Sequence, residues 1–212
     1  AESVAASIAE MSAGLERDAD ADAFFSALVD ALYTRSDAAP AEQREAWAAA
    51  IEAVEEAQIG SKTFQTPEVL EWMVGAQDRL ESLDVVGNAI ALPDLVRTVY
   101  RELLGGDEEG FRIPARSRGV AQTIVSYQSS HRPNDLWHFV TPDYRSAVVW
   151  VQLKSGDNQD MSRVEAAFGE WLDANPPPSG VEVKWTGPTY LNMVWQQEMV
   201  AGMGWSLLSA FG

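Results

Sequence analysis

Residues 146–154 read SAVVWVQLK, a run of β-branched, aromatic and aliphatic side chains between Ser146 and Lys154. Such residues fit a pleated, half-buried surface, and a run apolar on both faces fits a strand with neighbours on both sides. The stretch is therefore expected to be a central strand. Downstream, DMSRVEAAFGEWLDAN (160–175) spaces Met161, Val164, Phe168 and Trp171 along one helical face, and Pro176, Pro177 and Pro178 end it. VEVKW (181–185) then alternates strictly, with Val181, Val183 and Trp185 on one side and Glu182 and Lys184 on the other. That period of two is a strand signal. TGP (186–188) reads as a turn and Thr189 onward as a helix. Strand, helix and strand over 146–185 make a βαβ crossover of ordinary length, which joins parallel strands.

Upstream the texture is similar. TPEVLEWMVGAQDRLESL (66–83) puts Thr66 at a capping position, Pro67 at the first helical position and Glu68 in the first turn. Val69, Met73, Ala76, Leu80 and Leu83 form its apolar stripe. VVGNAIAL (85–92) is a short strand-like run, and PDLVRTVYRELLGG (93–106) is a helix carrying Val96, Val99 and Leu103, stopped by Gly105 and Gly106. DEEGFRIPARSR (107–118) reads as a linker and GVAQTIVSYQ (119–128) as a shorter helix. No convincing strand precedes Thr66.

The first sixty residues read as helices. Val4, Ile8, Met11 and Leu15 recur at helical spacing, as do Phe25, Leu28 and Leu32 after an Asp-rich start. Pro40 opens a third helix with Trp47, Ile51 and Val54, and IGSKTFQ (59–65) breaks the rhythm. The expected fold class is α+β, built of tandem βαβ-type, ferredoxin-like subdomains with an N-terminal helical segment. The expected boundaries are 1–58 for that segment, 59–130 for the first α/β subdomain and 131–212 for the second.

The chain has 212 residues and a formal charge of −17, from 15 Lys and Arg against 32 Asp and Glu. That balance repels phosphate backbones, so nucleic acid is excluded as an expected partner. With no cysteine, disulfides, thiolate nucleophiles and Cys-based zinc sites are excluded. The opening AESVAASIAEMSAGLERD lacks the basic start and apolar core of a secretory signal, and no run approaches the ~20 apolar residues of a membrane span.

Candidate chemistry is sparse. DADAD (18–22) fails the calcium-loop pattern, because the glycine position falls on Ala23 and the bidentate acid position on Val29. It reads better as a helix cap and a solvated acidic face. His131 and His138, with Asp135 between them, lack a further ligand at metal-site spacing. GMG (202–204) has no phosphate-loop context, and the pairs Glu55–Glu56 and Glu108–Glu109 are adjacent and point apart on a helix. No catalytic, cofactor-binding or metal-ligating residue is expected, and the chain does not read as an enzyme. The eight tryptophans fall mostly on apolar stripes, where core packing is the default.

Trp195 and Trp205 differ. They flank a stretch of Met, Gly and Ala in a closing segment that carries no charge after Glu198. Indoles favour a membrane's edge, where the ring meets hydrocarbon and the N–H stays wet. Trp195, Met199, Met203, Trp205 and Phe211 are therefore expected to be membrane-proximal, with Gly212 lying shortly before a transmembrane helix.

Here the chain resembles the large extracytoplasmic loop of RND (resistance–nodulation–division) superfamily exporters, in the MMPL-like branch. The residues that carry the resemblance are TPEVLEWMVGAQDRLESLDVVGNAIALPDLVRTVYREL, GDEEGFRIP, AQTIVSYQSS, FVTPDYRSAVVWVQL and VKWTGPTYLNMVWQQEM, in that order between Thr66 and Gly212. The IP…AQ…Y series is closer to the second of the two loops in that family. The resemblance implies porter-like ectodomains on the periplasmic side of the inner membrane, in a proton-driven exporter of hydrophobic or amphiphilic compounds such as lipids or drugs. It implies as partners the transmembrane helices and the other loop of the same exporter, other protomers or an accessory protein, and a hydrophobic or lipid cargo. Residues 1–58 have no counterpart in it, and no coupling residue is carried over, because those lie in the membrane helices. The alternative is a free-standing soluble partner-binding module, with the helical segment as its docking surface.

Overall fold

The computed structural model describes residues 2–14 and 21–210, with side chains for all of these except 2, 3, 5, 11, 14, 21, 22 and 204–210. The fold is α+β, mostly helical, with one small antiparallel sheet. Its elements are α1 (Glu2–Gly14), α2 (Ala21–Asp37), α3 (Arg44–Gly60), α4 (Pro67–Glu81), β1 (Val86–Ile90), α5 (Leu92–Leu103), α6 (Ser117–Gln128), β2 (Trp150–Leu153), α7 (Asn158–Ala174) and α8 (Pro188–Ala210).

α1, α2 and α3 close around a core of Val4, Leu28, Leu32, Trp47 and Ile51, with Ile8, Phe24 and Val54 packed on it. The stripes at 4–8, 28–32 and 47–54 thus meet one another, with Phe24 packed on this core in place of the expected Phe25. Met11 and Leu15 lie outside the described side chains, as does DADAD (18–22).

The rest of the chain builds a body around two further apolar clusters. Pro67 begins α4, whose Val69, Leu70, Met73, Ala76 and Leu80 are buried. Thr66 occupies the capping position, but its hydroxyl donates to Thr63 O at 2.7 Å instead of capping an α4 amide. α5 is capped by Asp94, whose Oδ2 accepts from Ala91 N at 2.9 Å. The same carboxylate takes Gln77 Nε2 at 2.6 Å and Arg97 Nη2 at 2.7 Å, which ties α4 to the start of α5. At the other end, Gly105 and Gly106 adopt φ of 104° and 90°, and Gly106 N bonds Arg101 O at 2.9 Å, so the expected glycine stop is a left-handed turn. Val96 is buried, whereas Leu103 is exposed.

β1 pairs with β2, Ala89 opposite Val151 and Ile90 opposite Trp150. Val86, Ala89, Val151 and Leu153 turn inward to Ala76 and Leu80 of α4 and to Val164 and Phe168 of α7. Ile90 and Trp150 face outward, 41 % and 56 % exposed. The strand at 146–154 is therefore shorter than expected. In a two-stranded sheet it has β1 as its one ladder partner among the described residues, so it is an edge strand and not the expected central one, with helices covering one face.

The expected parallel crossover is corrected in one respect. β2 and α7 form in order, but no strand is assigned over 181–185, and the ladder that β2 makes is antiparallel. Gly180, at φ 84°, and the bond from Val181 N to Pro178 O turn the chain immediately before this segment. Val181 and Trp185 then reach the body through side-chain packing, while Val183 stays 37 % exposed. Glu182 and Lys184 bond each other at 3.0 Å in solvent. The expected alternation therefore holds only at the two ends of the segment, Val181 and Trp185, and the backbone joins no ladder.

Candidate functional site

α8 begins after a turn in which Gly187 has φ 106°, a value that favours glycine, and Leu191 N closes the first turn on Gly187 O. Its first half is docked. Met193 is buried, Tyr190 stacks on Trp185 with centroids 6.4 Å apart, and Asn158 Nδ2 at the start of α7 donates to Gln196 Oε1 at 2.6 Å. Trp185 in turn meets Phe168 edge-on at 5.6 Å, and Phe168 stacks on Trp171 at 5.5 Å. An aromatic chain thus fastens α8 to α7 and the body.

On its other side, among the described side chains, the helix is bare. Leu191, Trp195, Met199 and Met203 recur every fourth residue and are 60 %, 67 %, 44 % and 59 % exposed, with Val200 beside them at 61 %. Residues four apart share a helical face, so these side chains form a continuous apolar stripe in solvent. Contiguous exposed apolar surface of this kind marks a contact site. No charged residue follows Glu198. Among the described residues no helix is long and apolar enough to cross a membrane. In α8, Asn192, Gln196, Gln197 and Glu198 dilute the first half.

Of the five residues expected to be membrane-proximal, Trp195, Met199 and Met203 lie on this stripe. Trp205 belongs to α8 with its side chain outside the described set, and Phe211 lies outside the described residues. Sequence reading missed Leu191 and Val200. The four-residue spacing from Leu191 to Trp195 was the available signal.

His131 and His138 are both exposed, and His138 Nδ1 lies 3.2 Å from Asp135 O. Thr141 Oγ1 donates to Asp143 and holds its carboxyl below the usual range, helped by the Arg145 amide. Burial pushes the Tyr144 hydroxyl up. A hydrogen bond to Glu55 Oε1 at 3.0 Å, then the charge of that carboxylate, does the same to Tyr33. Among the described residues no three His, Asp or Glu side chains converge as a metal site. An open groove of about 320 Å³ lies beside α7, bordered by the Asp84–Arg163 ion pair at 3.0 Å and by Glu170. Comparison of the chain with protein-family models, with curated proteins and with solved structures returns no match.

Proposed function

We propose that this chain is a periplasmic or extracytoplasmic domain of a proton-driven RND-type exporter of hydrophobic or amphiphilic compounds, MMPL-like, in the cell inner membrane. α8 then runs from the body towards hydrocarbon. The observation that carries this reading is the Leu191–Trp195–Met199–Met203 stripe, apolar, exposed and uncharged past Glu198.

The finer architecture belongs to the same proposal. Residues 146–185 are read as part of a porter-like, ferredoxin-like subdomain, in which α7 covers the inner face of the β1–β2 sheet and 181–185 follows as a segment packed by its side chains. The packing of Val181 and Trp185 on the cores that also hold Val149 supports this, as does the position of α7 against the inner sheet face. The partners are the transmembrane helices and the second extracytoplasmic loop of the same exporter, together with other protomers or an accessory protein. No residue is assigned to cargo.

The polypeptide encoded after Gly212 tests the proposal. A run of ~20 apolar residues is expected there. A stop codon or a charged, loop-like continuation overturns it.

A second reading, a soluble partner-binding module, is favoured by the separate core of α1–α3. It requires an oligomer or a partner complex, and a strict monomer by light scattering counts against it.

A further inference from the structure

Residues 1–60 hold thirteen Asp and Glu against three Arg. The core of α1–α3 draws on residues 4–54 alone, whereas the two body clusters draw on residues 64–185. No described apolar cluster spans the junction. α3 ends at Gly60, which has open space around its Cα, and the chain leaves the helix at Lys62 with φ −88° and ψ 89°. Phe64 N is then anchored to Tyr144 O at 3.0 Å, so the body begins there.

Where α3 lies against α6, an ion pair joins them. Arg118 Nη2 of α6 meets Glu55 Oε2 of α3 at 2.7 Å, and the other oxygen of Glu55 accepts from Tyr33 of α2. Arg118 sits in FRIPARSRG (111–119), which carries Arg112, Arg116 and Arg118 and no acid. The acidic three-helix unit therefore meets α6 through the Arg118–Glu55 pair, while Arg112 lies over the Tyr100 ring of α5 at 5.7 Å.

We propose that α1–α3 form a hinged arm, pivoting at residues 61–63, whose seated position on the body is held by the Arg118–Glu55–Tyr33 clasp. Opposite charges fix where the arm rests, and a separate core lets it move without unfolding. An exposed pair holds such a seat only modestly, so loss of the clasp should shift the seated-to-open ratio by about two- to fivefold.

Because the chain has no cysteine, spin labels can be placed by the exposed substitutions Ala49→Cys on α3 and Val125→Cys on α6. Electron–electron distances are then read in the labelled chain, in Glu55→Gln and Arg118→Gln, and in the charge-exchanged pair Glu55→Arg with Arg118→Glu. The expected result is one narrow distance that gains a longer component in each single variant and returns in the exchanged pair. Salt at about 0.5 M should act like the single substitutions, since it screens an exposed pair. Distances unchanged by both single substitutions and by salt overturn the clasp. A broad distribution in the unsubstituted chain overturns it as well. Circular dichroism shows whether a variant has folded, and the exchanged pair separates loss of the charge attraction from loss of the fold.

Discussion

Phe168→Ala should unfasten the closing helix from the body at a measurable cost in stability. Phe168 is 5 % exposed, in the cluster that joins α7 to β1 and β2. Its ring stacks on Trp171 at 5.5 Å and meets Trp185 edge-on at 5.6 Å. Taking a buried phenylalanine as about 150 Å² of apolar area, at about 25 cal/mol per Å², gives about 4 kcal/mol. The two ring contacts add about 0.5–1.5 kcal/mol each. Measured large-to-alanine losses at buried aromatics run about 3–5 kcal/mol, so the expectation is the upper part of that range. Urea unfolding followed by far-UV circular dichroism gives the number, and near-UV bands report the tryptophans. Trp195→Ala serves as the control: a ring 67 % exposed on α8 should cost under about 0.5 kcal/mol. A Phe168→Ala loss below about 1 kcal/mol would refute the aromatic chain as the fastening of 185–196.

Two further outcomes follow from the geometry. The Tyr33 hydroxyl, raised above its ordinary value of 10.0 by Glu55, should ionise at higher pH than free tyrosine. Its favourable contribution is therefore complete below about pH 10 and is lost as pH climbs through the raised value. Absorbance at the tyrosinate band, compared with Tyr33→Phe, reads this, and Glu55→Gln should bring the titration back towards normal. Gly106→Ala should cost about 1–3 kcal/mol, because the turn after α5 holds that residue at φ 90°. A neutral result in thermal unfolding would mean the turn can be rebuilt without it.

Local pattern was legible in the chain, and pairing was not. The stripe from Val69 to Leu80 became the buried face of α4, and Met161, Val164 and Phe168 became that of α7, because a period near 3.6 sets which side chains share a face. VVGNAIAL and SAVVWVQLK both gave strands, yet they pair with each other antiparallel. Which strand neighbours which is a tertiary choice that no local alternation encodes. VEVKW shows the same limit, since its sequence alternates while its backbone makes no ladder and Val183 stays exposed.

Polar links were hidden for a related reason. Gln77, Asp94 and Arg97 meet only because α4 and β1 bring the start of α5 alongside. Glu55 and Arg118 are 63 residues apart in the chain, and nothing in either neighbourhood announces the other. The apolar face of α8 was readable because it is an omission: no charge follows Glu198, so no face of the helix is reserved for water.

The account turns on what that face touches. Spin labels introduced singly at Glu198, Met199 and Met203 in the intact polypeptide, reconstituted into phosphatidylcholine bilayers, can be scored for collision with oxygen and with a water-soluble nickel chelate. Oxygen contact should rise and nickel contact fall from Glu198 to Met203. Equal, high nickel contact at all three positions would leave the stripe in water and contradict the exporter reading.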